Sequence, residues 1–93
     1  MSLPSPLEKE VAIRTGRYMV VIHNDDITPY DAVISVLIAA TGCDRQEAEI
    51  ETWEAHTYGK APVHFSSQEE CEVAARVIAS IGIKVNVLKE WDD

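Results

Sequence analysis

Residues 17–37 read RYMVVIHNDDITPYDAVISVL, and the change of rhythm inside this stretch decides the fold. Arg17–His23 is rich in β-branched and aromatic residues. That is the composition of a strand, and the apolar run is continuous enough for burial on both faces. The run stops at Asn24, Asp25 and Asp26. Beyond them Val33, Val36, Leu37 and Ala40 recur at helical spacing. The punctuation in between predicts Thr28 as the N-cap, Pro29 at the first helical position and Asp31 in the capping-box slot. Gly42 supplies the stop.

Working outward, a second helix follows at once, with Asp44 as its cap and Glu47 three positions on. It is expected to run to about His56, with Gly59 ending it. Its polar face carries Glu47, Glu51 and Glu54, opposite a stripe of small residues, Ala48, Thr52 and Ala55, and Trp53 must pack at a flank. KAPVHF, residues 60–65, reads as a short strand in which Pro62 points to an edge position. Ser67 and Glu70 form a further capping box, after which Cys71, Ala74, Ala75, Ile78 and Ile81 line one side of a third helix closed by Gly82. IKVNVL, residues 83–88, alternates as a last strand. The order strand, helix, helix, strand, helix, strand predicts an α+β fold: a single small domain with a three-stranded antiparallel sheet and three helices packed on one face.

Residues 1–16, with Pro4, Pro6 and the mixed-charge LEKEVAIRTG, are expected to form a flexible arm, leaving 17–93 as the domain. A chain of 93 residues, 46% apolar and 26% charged, has the composition of one globular unit. A net charge of −8 argues against nucleic acid as a partner, because phosphate binding draws on clustered Lys and Arg. No apolar run approaches the roughly 20 residues of a membrane span. No positively charged segment followed by an apolar stretch opens the sequence, so the cytoplasm is the expected compartment. Cys43 and Cys71 form no CxxC pair and are expected to be buried free thiols. His23, His56 and His64 lack spacing of the HExxH kind, and no metal or other cofactor is expected.

Asn24, Asp25 and Asp26 exceed what one turn requires, and adjacent carboxylates repel unless a cation or donor joins them. The local sequence leaves open a turn alone and a cation site, either for a metal or for an ammonium group. His56 ends the second helix, where it could serve the helix dipole alone. The small-residue stripe leads directly to it, so either neighbouring side chains fill in beside Thr52 and Ala55 or a cavity is left.

NDDITPYDAVISVL, together with EAHTYGKAPV starting thirty residues after Asn24, is similar to the ClpS family of protease adaptors. The family hallmark is Asn-Asp-Asp-x-Thr-Pro followed at this distance by His-x-x-Gly-(Lys/Arg)-Ala, and the spacing agrees without a gap from Tyr18 to about Ala61. The resemblance implies a non-enzymatic N-degron receptor. It would bind a substrate's free N-terminal Leu, Phe, Tyr or Trp and hand the substrate to a ClpA- or ClpC-type AAA+ unfoldase feeding the ClpP peptidase. It further implies that Asn24, Asp26 and His56 hold the α-ammonium, that Asp25 adds negative charge and that Thr28 makes a backbone contact. Tyr30, Val33, Thr52 and Ala55 match the family's side-chain pocket, with a contribution from the final strand, and Glu69 matches an acidic position at the unfoldase interface. This sequence departs from the pattern at Tyr30 and Thr52, where Met is common, at Ala55, where Val is usual, and at Ala74, where a Lys is often found. Two alternatives stand beside this reading. One is a ClpS-like interaction module with lost or altered N-terminal-residue binding; the other is a metal-dependent hydrolase using His23, Asp25, Asp26 and His56.

Overall fold

The computed structural model describes residues 17–90. The expected arm, residues 1–16, lies outside the described residues, as do residues 91–93. Strand β1 (Arg17–His23) is followed by helices α1 (Tyr30–Thr41) and α2 (Arg45–Tyr58), strand β2 (Lys60–Ser67), helix α3 (Gln68–Ala79) and strand β3 (Val85–Lys89). The sheet has the order β2-β1-β3, with both pairings antiparallel. The predicted class and element order are those observed.

β1 is the central strand, which is why its sequence is apolar on both faces. Val20 and Ile22 point into the core that the helices cover. Val21, next to them in sequence, is buried outside that cluster, where its cross-strand partners are Pro62 and Asn86. Pro62 does lie on an edge strand. Next to it the register slips: Val20 pairs with His64 and Val21 with Pro62, so Val63 is the extra residue of a β-bulge.

Helix α1 contributes Val33, Ile34, Val36 and Leu37 to the core, and α3 contributes Cys71, Ala74 and Ile78. From α2 come only Ala48, Thr52 and Ala55. Trp53, expected to pack at a flank, is 52% exposed and meets Tyr58 edge-on at 5.9 Å between ring centroids. Gly42 and Gly59 close α1 and α2 in the left-handed conformation, each donating its N–H back into the helix. The two cysteines are free, Cys71 buried and Cys43 half-buried.

Several expectations need correction. α1 starts one residue later than predicted: Pro29 is its N-cap and no side chain caps the helix. The Thr28 N–H and hydroxyl both donate to the Asp25 carboxylate, which turns the Thr28 side chain to the loop and leaves Pro29, with no side-chain acceptor, at the cap position. α3 ends at Ala79, so Ile81 lies beyond it in the turn that leads to Gly82. The Ser67 cap is as predicted, accepting from the Glu70 N–H, but the Glu70 carboxylate bonds the Ser66 hydroxyl. On α2, Glu51 is half-buried and is not part of an open polar face.

Candidate functional site

The polar loop begins where β1 is held on both sides. His23 N–H donates to the Lys84 carbonyl just before β3, and Asn24 N–H donates to the Gly59 carbonyl just before β2, both at 3.0 Å. The second bond ties the start of the loop to the C-terminal end of α2, the helix that carries His56. Across the β1–β3 pair, His23 Nε2 and Asn86 Oδ1 meet at 2.7 Å.

Within the loop the two carboxylates do different things. Asp25 accepts from the Ile27 N–H at 3.1 Å, from the Thr28 N–H at 2.9 Å and from the Thr28 hydroxyl at 2.7 Å. These bonds hold its carboxyl below the usual carboxylate range, the Thr28 N–H contributing most. Asp26 takes the left-handed conformation at φ 59°, which Asp tolerates better than most residues. Its Oδ1 accepts from Asn24 Nδ2 at 2.9 Å. That bond occupies one amide proton of Asn24 and leaves its carbonyl oxygen as an acceptor.

His56 lies in the last turn of α2, exposed, with its ring edge-to-face with Tyr30 of α1 at 6.1 Å between centroids. One turn earlier on α2, Thr52 is 4% exposed and its hydroxyl donates to the Ala48 carbonyl at 2.7 Å.

These groups meet around one cavity of about 180 Å³. Asn24, Asp25, Asp26 and Thr28 from the loop, Tyr30 and Val33 from α1, and Thr52, Ala55 and His56 from α2 all line it. Every residue that the sequence placed at the ammonium site, the backbone contact or the pocket is therefore here. Glu69 is not; it sits exposed in the first turn of α3. Three further lining residues stood outside the predicted pocket: Ile22, His23, which the sequence offered only as a metal ligand, and Ile83, at the start of the predicted final strand. Ile22 and His23 end the strand that feeds the loop, and that adjacency was the available signal. Ile83 lies just ahead of β3, where the alternation of IKVNVL was visible but its register against β1 was not.

No Lys or Arg lines this cavity. Its loop end offers acceptors and negative charge; farther in, Ile22, Val33, Ala55 and Ile83 make the wall apolar. Such a site suits a ligand with a cationic multiple donor at one end and an apolar group at the other. Among the described residues, no group of three or more His, Cys, Asp or Glu side chains is arranged to hold a metal ion. No helix of the described residues is long and apolar enough to cross a membrane.

Comparison with known proteins agrees with the motif resemblance. The family model described as ATP-dependent Clp protease adaptor protein ClpS matches residues 14–84. The ClpS adapter protein of Hydrogenovibrio crunogenus is 40% identical over 57 residues, covering 61% of this chain and 55% of its own length. That of Treponema denticola is 39% identical over 54 residues, covering 58% and 54%. The chain thus spans about half the length of these relatives. Among solved structures, Agrobacterium tumefaciens ClpS2 bound to L-phenylalaninamide superposes with a TM-score of 0.77 at 25% identity, covering 83% of this chain and all of that one. With the family model spanning most of the sequence and the fold shared, the chain belongs to the ClpS family of Clp protease adaptors.

Proposed function

We propose that this chain is an adaptor that binds the free N-terminal residue of substrate proteins, a bulky hydrophobic one such as Leu, Phe, Tyr or Trp. It then passes them to a ClpA- or ClpC-type AAA+ unfoldase coupled to ClpP in the cytoplasm. It performs no covalent chemistry. The observation that carries this reading is one cavity with Asn24, Asp26 and His56 at its polar end and an apolar wall beyond. The likeness to a ClpS2 bound to L-phenylalaninamide, a free amine beside an aromatic side chain, supports the same ligand class.

The selectivity follows from counting donors. An α-ammonium has three N–H donors and a positive charge, matching an Asn carbonyl, an Asp carboxylate and a neutral imidazole nitrogen. An internal peptide N–H brings one neutral donor and leaves two acceptors unmet, at about 1–3 kcal/mol each. Burying a large apolar first side chain adds about 1.5–3 kcal/mol. In this reading Asp25 contributes charge and shapes the loop through Thr28, while Tyr30, Val33, Thr52 and Ala55 read the side chain. Glu69 on α3 meets the unfoldase.

Isothermal titration with a peptide that starts with Phe tests the receptor half. Binding is expected for the free amine, to be lost on N-acetylation and in Asp26→Ala or His56→Ala. Equal binding of the acetylated peptide rejects the receptor and leaves an interaction module. Degradation of a Phe-starting reporter by a reconstituted unfoldase and ClpP, dependent on this protein and weakened by Glu69→Ala, tests the delivery half.

A further inference from the structure

We infer that Thr52 tunes the side-chain pocket toward first residues that carry a hydrogen-bond donor, Tyr and Trp, relative to Phe and Leu. This rests on the N-terminal-residue reading above and deepens it. Thr52 is the buried polar side chain of the described core, 4% exposed, and it lines the cavity. A hydroxyl has one proton and two acceptor lone pairs. The Thr52 proton goes to the Ala48 carbonyl at 2.7 Å. Toward a ligand, that oxygen can therefore only accept.

Its position matters as much as its chemistry. Thr52 precedes His56 by four residues, one helical turn or about 6 Å along the axis and on the same face. An aromatic side chain has a comparable reach from its own α-carbon. A first residue with its ammonium at His56 and its ring in the cavity sends the ring tip toward Thr52. Around it, the wall residues Ile22, Val33, Ala55 and Ile83 offer no side-chain acceptor, and the Tyr30 ring lies edge-to-face with His56 at the other end of the row. In such a wall an unpaired phenol or indole donor would lose affinity, and the Thr52 oxygen removes that loss. Phe gains nothing from it, and Leu likewise.

The test is titration of the full chain with peptides identical except for Phe, Tyr, Trp or Leu at the first position. In the unsubstituted protein, Tyr and Trp peptides are expected to bind at least as tightly as the Phe peptide. Thr52→Val keeps the shape and deletes the acceptor. It is expected to lower the Tyr-to-Phe and Trp-to-Phe affinity ratios by about three- to tenfold. Thr52→Ser, which keeps the hydroxyl, is expected to preserve the Tyr-to-Phe ratio. A roughly tenfold preference for Phe over Tyr in the unsubstituted protein overturns the inference whether or not the variants fold, since that is the size of an unpaired buried donor. A Tyr-to-Phe ratio unmoved by Thr52→Val overturns it too. In both cases amine-dependent binding persists and the receptor reading survives, whereas N-acetylated peptides that bind equally well defeat both.

Discussion

The carboxylate of Asp25 accepts three hydrogen bonds from Ile27 and Thr28, whereas that of Asp26 accepts one, from the Asn24 amide. Asp25 is thus a builder of the loop, and Asp26 keeps acceptor capacity and charge that the loop does not use. Asp26 also sits at φ 59°, a backbone region that Asn and Asp enter more readily than other L-residues. Asp26→Asn therefore separates charge from conformation. Its thermal midpoint should match that of the unsubstituted protein, while affinity for a Phe-starting peptide should fall about tenfold, the loss of a hydrogen bond to a charged group. Calorimetry and thermal melts on the same samples read both. The sequence announced that Asn24, Asp25 and Asp26 were one carboxylate too many for a turn. The residues themselves did not say which carboxylate was surplus, and only the family resemblance separated them, because the difference depends on backbone torsions and on where the Thr28 hydroxyl turns.

At the scale of the element, α2 combines a capped start at Asp44, a glycine stop at Gly59 and a cavity-facing row, Thr52, Ala55 and His56. The caps and the small-residue row were readable from spacing. The environment of Glu51 was not. Helical periodicity put it on the solvent side, yet the groove between α2 and β2, lined by Arg17, His64 and Phe65, encloses it. One of its carboxyl oxygens is buried without a hydrogen-bond partner. Burial first, then repulsion from Glu47 and Glu54, pushes its pKa up to about 7. A raised carboxyl pKa means that the folded state holds the proton more tightly than the unfolded one. The stability this gives is present below the ordinary value of 4.5 and is lost as pH rises through about 7. The full shift corresponds to about 3 kcal/mol. Because the side chain remains partly in solvent, about 1 kcal/mol is the realistic size. Glu51→Gln should therefore stabilise the protein by about 1 kcal/mol near pH 8 and by close to nothing near pH 4, as urea unfolding at the two pH values would measure. An equal effect at both would mean that the carboxyl titrates normally.

For the whole molecule, the core is made mostly by α1, α3 and the central strand, because α2 brings only small residues to it. Leu37, fully buried on α1, is a keystone of that core. Leu37→Ala should cost about 3 kcal/mol by chemical denaturation. That is a large share of the roughly 5–10 kcal/mol a domain of this size has. Class and element order followed from periodicity, and the apolar run of Arg17–His23 signalled burial on both faces, whereas its central place in the sheet came only from the structure. The β-bulge at Val63 and the approach of Ile83 to the cavity did not follow from periodicity, because each depends on registers between strands far apart in the chain.

The two hydrogen bonds that hold the end of β1, His23 to Lys84 and Asn24 to Gly59, run between main-chain groups. No particular side chain is required for either, so the frame that brings the loop and α2 together is independent of the residues that line the cavity. Under the proposed function, exchanging Tyr30, Thr52 or Ala55 one at a time revises the palate of the site while the scaffold beneath stays put.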